Sequence, residues 1–141
     1  MNEKNTDTLQ QELMSTNNLD RFLTENDASF RDVPLQEAIQ RIFDEKGMSK
    51  AQLAKQSGIS EVYLHQVFAG RRTPSRDRLL CICVGLGITL DETQRMLTQG
   101  GYAQLYPRTR RDAIISYGVV HQLPLGEIND KLFAEQEKTL F

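Results

Sequence analysis

The run Gly70-Arg71-Arg72-Thr73-Pro74-Ser75-Arg76 puts three guanidinium groups and two hydroxyls within seven residues. Lys50 adds a cation earlier, at the start of an expected helix. Arginine forks match phosphate oxygens two at a time, and a helix N-terminus attracts anions through its free N–H groups. Residues of these types suit the binding of a phosphate backbone. The surrounding charge agrees. Residues 48–78 hold six Lys/Arg and two Asp/Glu, a balance of +4, within a chain whose net charge is −2. Residues 1–47 carry −5 and residues 79–141 carry −1, so the positive charge is local.

Other chemistry finds little support. Cys81 and Cys83 lie two apart in a helix-like run, so they point to different faces and make a poor zinc or disulfide pair. They are expected as small core residues. His65 and His121 have no Cys or Asp partners at metal-ligand spacing. Ser57, Ser60 and Ser75 have turn or capping tasks, and no glycine loop suited to cradling a nucleotide is present. No metal, no cofactor and no enzymatic activity are expected. No apolar run nears the ~20 residues of a membrane span, and the first residues lack the pattern of a secretory leader. A cytoplasmic location is the expectation.

The elements that would position the cations are helical throughout. Leu35, Ala38, Ile39, Ile42 and Phe43 follow the spacing of one apolar helix face, begun by Pro34 and ended by Gly47. Ser49 opens a second helix, about 49–56, with Gln52 placed for a capping box. Gly58 breaks it, and Ser60 caps a third helix running to about residue 69. Ser75 caps a fourth, carrying Leu79, Leu80, Cys83 and Leu86. Thr89 and Glu92 form a second possible capping box for a fifth, with Leu90, Thr93 and Leu97 inward. Pro107 and Pro124 begin two more. The reading is all-α: a five-helix domain over 32–100, a C-terminal helical hairpin over 101–141 packed on it, and an acidic arm over 1–31. Disorder is expected in that arm up to about residue 17, with a short helix near Leu19, Phe22 and Leu23.

An internal repeat appears at an offset of 35 residues. Residues 72–106 and 107–141 share Arg76/Arg111, Asp77/Asp112, Val84/Val119, Leu90/Leu125, Glu92/Glu127, Leu97/Leu132 and Leu105/Leu140. The tail is therefore expected to dock on the fourth and fifth helices as a second hairpin. Arg76 and Arg111, equivalent in the repeat, have a structural reading as well as a phosphate-binding one.

The segment Lys50 to Phe68, KAQLAKQSGISEVYLHQVF, resembles the helix-turn-helix of the phage repressor and Cro-like family, the XRE-type regulators. Leu53, Ala54, Gly58, Ile59, Leu64 and Val67 carry the resemblance, which covers residues 34–88. Ala54 lets two helices cross closely, and Gly58 takes the positive φ of the turn. With the G-R-R-x-P-S-R-D-x-L-L run and the L-Y-P-R-x-x-R-D-x-I-I segment at Leu105 to Ile115, the chain looks like a bacterial subgroup with an acidic arm and an extra C-terminal hairpin. The resemblance implies a lambda-repressor-like fold and a sequence-specific regulator of transcription that binds double-stranded DNA.

By position, the resemblance puts Glu61, Val62, Tyr63 and Gln66 toward the bases in the major groove. Gln66 suits the N6/N7 edge of adenine, Val62 a thymine methyl, and Glu61 a cytosine amino group at the cost of phosphate repulsion. Lys50, Arg71, Arg72, Ser75 and Arg76 are the phosphate contacts. About four of these give a salt slope near −3.6. A homodimer is expected, with Leu97, Tyr102, Leu105 and Tyr106 as its surface or as core between the hairpins. The alternative is an interaction module that keeps the fold without reading DNA, its protein partner engaging the arm or the hairpin. Asp20, Glu25, Asp27 and Asp32 would act as a DNA mimic if the arm covered the basic side.

Overall fold

The computed structural model describes residues 5–25 and 33–141, and the chain divides into two units, residues 1–32 and 33–141. Among the described residues every regular element is a helix.

In the first unit, α1 (Thr6–Ser15) and α2 (Leu19–Glu25) form. The disorder expected up to residue 17 is replaced by helix from Thr6 onward. Asn5 explains the difference, because its Oδ1 accepts the Thr8 N–H at 2.7 Å and Asp7 lies in the first turn. The apolar cluster Leu19, Phe22 and Leu23 sits on α2, while Asp27 and Asp32 lie outside the described residues.

The second unit is a five-helix, lambda-repressor-like domain with additional C-terminal helices. It comprises α3 (Leu35–Lys46), α4 (Lys50–Ser57), α5 (Glu61–Phe68), α6 (Arg76–Leu86), α7 (Leu90–Gln99), α8 (Arg110–Val120) and α9 (Leu125–Ala134). Local chemistry sets most of these ends. Ser49, Ser60 and Ser75 each accept the N–H three residues on, capping α4, α5 and α6. Thr89 and Glu92 form the full reciprocal box on α7, and the Thr89 backbone N–H holds the Glu92 carboxyl below its ordinary pKa. That contribution to α7 is present at neutral pH and is lost as acid protonates Glu92.

One boundary differs from the sequence reading. Pro107 does not start α8, which begins three residues later at Arg110. The Thr109 N–H bonds to the Tyr106 carbonyl in a turn, and the Tyr106 N–H is taken by Asp112 Oδ2 at 3.0 Å. These bonds hold the proline segment outside the helix.

The core runs continuously from α3 to the C-terminal helices. Ile39, Leu53, Leu64, Leu79, Leu80, Leu97, Ile115 and Leu132 are fully buried within it. Leu97 and Leu105 belong to this core, and the Tyr102 hydroxyl donates to the Pro74 carbonyl. The homodimer surface expected from these side chains is therefore internal, with only Tyr106 half exposed. Packing between the hairpins claims the apolar area. Cys81 and Cys83 are free and buried, and desolvation pushes their thiols up to about 11 and about 12. Neither is a thiolate at neutral pH, so they serve as packing.

Candidate nucleic-acid interface

α4 and α5 are joined by Gly58, Ile59 and Ser60. Gly58 adopts φ 63°, and the Ile59 N–H reaches back to the Ala54 carbonyl at 3.1 Å. Ile59 drops into the core beside Leu53, Leu64 and Val67, fixing the angle between the two helices. The tightest approach of α4 to its support is at Gly85 of α6, where Ser57 and Leu53 lie against the glycine.

This frame leaves the first turn of α5 outward. Glu61 and Val62 are exposed, and Val62 keeps 68% of its surface open despite being apolar. Tyr63 and Gln66 are half-buried. The Tyr63 ring lies under two guanidinium groups, Arg78 at 4.5 Å and Arg72 at 5.3 Å from its centroid. Gln66 Oε1 accepts a bond from Arg72 Nε at 2.9 Å. An amide oxygen has two acceptor sites, so Gln66 can hold Arg72 and still meet a base.

The arginine loop is pinned to the same helix. The N–H groups of Arg71 and Arg72 both reach the Gln66 carbonyl, at 2.9 and 3.3 Å. Lys50 arrives from the N-terminus of α4, its Nζ 5.3 Å from the centre of the Phe68 ring. Phe68 in turn packs on Phe43 of α3, with centroids 5.0 Å apart. The result is an open concavity of about 580 Å³ bordered by Lys50, Val62, Gln66, Phe68 and Arg71. Two cations, an amide and an apolar tip therefore face one space.

Arg76 is elsewhere. Its Nε donates to the Ala103 carbonyl at 2.9 Å and its Nη2 to the Gln104 carbonyl at 3.1 Å. The same guanidinium pairs with Asp112, Nη2 to Oδ2 at 3.1 Å, with the carboxylate only 10% exposed. A guanidinium with every nitrogen engaged inside the fold is a poor phosphate ligand, so the phosphate role expected for Arg76 is withdrawn. Ser75 Oγ is used as the cap of α6. Arg78, unassigned in the sequence reading, joins the site through Tyr63. Only its place in the basic stretch signalled it.

Helix α4, the Gly58 turn and α5 have the geometry of a helix-turn-helix. In agreement, the helix-turn-helix family model matches residues 39–93, from within α3 to within α7. No curated protein and no solved structure gives a match.

Proposed function

We propose that this protein is a sequence-specific regulator of transcription that binds double-stranded DNA and reads the major groove with α5. The observation that supports this best is the single surface bordered by Lys50, Val62, Gln66 and Arg71, with Arg72 bonded to Gln66. A major groove about 12 Å wide admits one helix, so α5 would enter with phosphates on either side. Lys50, Arg71 and Arg72 would take those phosphates, and Glu61, Val62, Tyr63 and Gln66 would face the bases. A single module of this kind buries about 600–1,000 Å², so we place the working form as a homodimer on two half-sites. The location that fits this reading is the cytoplasm. No described helix is long and apolar enough to cross a membrane.

Selection of duplexes from a randomised pool tests this reading. Wild type is expected to enrich a defined half-site, and Gln66→Ala to relax one position of it by about 1–3 kcal/mol of discrimination. A pool that stays random would refute sequence-specific reading. A second reading, an interaction module, draws support from an apolar groove of about 600 Å³ on the tail, bordered by Ile114, Tyr117, Leu123 and Ile128. A folded protein that bound no duplex at low salt would move the assignment there.

A further inference from the structure

The contacts of Arg76 recur one repeat later. Arg111 Nε donates to the Lys138 carbonyl at 2.8 Å and Nη2 to the Thr139 carbonyl at 3.3 Å, each acceptor 35 residues beyond its counterpart. Gln94 Oε1 accepts the Leu105 N–H, and Asn129 Oδ1 accepts the Leu140 N–H, at 2.8 and 2.7 Å. Even the backbone agrees. Gly87 and Gln122 have φ 66° and 53°, and Gly101 and Gln136 have φ 78° and 60°. The hairpins α6–α7 and α8–α9 are thus two copies of one structure.

The two copies meet through exchanged charge pairs. Arg76 of the first pairs with Asp112 of the second, and Arg111 of the second pairs with Asp77 of the first, at 3.1 and 3.0 Å. Likewise α6 meets α9 while α7 meets α8. In a stacked array each copy offers one face to the copy before it and another to the copy after, so contacts are not returned. Returned contacts define a two-fold, isologous interface, in which one patch meets a second example of itself.

We infer that the α6–α7 face is a self-association surface whose fitting partner is a second copy of this chain, and that α8–α9 occupies it in cis. The stripe Arg76, Leu80, Val84 on α6 matches Arg111, Ile115, Val119 on α8, and Asp77 matches Asp112. A second α6–α7 hairpin would meet the first with the same charges paired and similar apolar side chains opposed. The repeat has diverged instead on another side. Ile82, Gly85 and Leu86, buried in the first copy, are replaced by Tyr117, Val120 and His121, all exposed. The linker from Gln99 to Arg110 is short, which gives the tail an effective concentration on the order of millimolar at the face. The intact chain is therefore monomeric through this face, and displacing the tail frees it for a dimer.

This deepens the homodimer part of the proposed function, and its test contains no DNA, so it stands or falls separately from DNA reading. Sedimentation velocity compares three full-length chains, with helix content and melting followed by circular dichroism. Arg111→Asp/Asp112→Arg sets like charges across both cis pairs but leaves the first face unchanged. It is expected to dimerise at concentrations about 100-fold below wild type, since like charges brought together in an interface cost several kcal/mol. Adding Asp77→Arg gives the first face two like charges and also re-pairs position 77 with the Asp introduced at 111 in cis, so both effects are expected to return the chain to a monomer. A folded double variant that stays monomeric, or a triple variant that dimerises equally well, would overturn the inference. If the double variant loses its helix content, Asp112→Ala replaces it. A smaller shift toward dimer then supports the inference, and an unchanged mass overturns it.

Discussion

Reversing charge at Arg71 and Arg72 together is expected to weaken duplex binding by about 100- to 1,000-fold at moderate salt. Each substitution removes one cation from the phosphate side of the surface and places a carboxylate where a phosphate would sit. Both side chains are exposed, and only Arg72 loses a side-chain contact, its bond to Gln66 beside the Tyr63 ring, so the fold should lose about 1 kcal/mol. The variant therefore separates binding from stability. Arg71→Glu/Arg72→Glu is measured by fluorescence anisotropy on the half-site duplex, with a thermal melt beside it. Full affinity retained in the double variant would show that these arginines are a solvated face.

The second large effect concerns stability. A side chain at Gly85 would overlap Ser57 Oγ and come within 3.1 Å of the Ser57 backbone nitrogen and 3.2 Å of Leu53 Cδ1. Backbone cannot yield cheaply, so α4 would have to move away from α6. Gly85→Val is expected to cost about 3 kcal/mol, at the upper end of overpacking effects, and to lower the melting temperature by about 10 °C. DNA binding should fall too, because α4 carries Lys50. Gly126→Ala is the control: a Cβ at that helical position meets open space, so stability should hold or rise by about 0.5–1 kcal/mol. Equal melting temperatures for the two variants would show that the α4–α6 crossing is not the constraint described.

Local chemistry alone is enough to place the helix ends. Ser49, Ser60, Ser75 and Thr89 act as caps because a cap needs only its own turn, and such signals can be read without knowing the fold. The glycines at 47 and 58 were legible for the same reason, since both adopt the positive φ their positions suggested. Long-range partners were not. Arg76 looked like one more arginine of a basic run, and what removes it from the surface is Asp112, 36 residues away. The repeat gave a partial warning, because Arg111 had no place at the proposed site yet matched Arg76. Leu97 and Leu105 likewise read as either surface or core from spacing alone, and the second hairpin buries them. Lys50 is legible from its place at a helix start, but its position over Phe68 depends on how α3, α4 and α5 pack. Arg78 is not legible as part of the site, because a ring beneath a guanidinium leaves no mark in local spacing.

The most direct measurement is a salt titration of wild-type binding to a half-site duplex. With Arg76 engaged inside the fold, Lys50, Arg71 and Arg72 remain as the proposed phosphate ligands, and three such contacts predict a slope near −2.7 in log affinity against log salt. A saturable affinity falling with about that slope is the expected result. Absence of saturable binding at low salt, or an affinity indifferent to salt, would contradict the assignment of this surface to DNA.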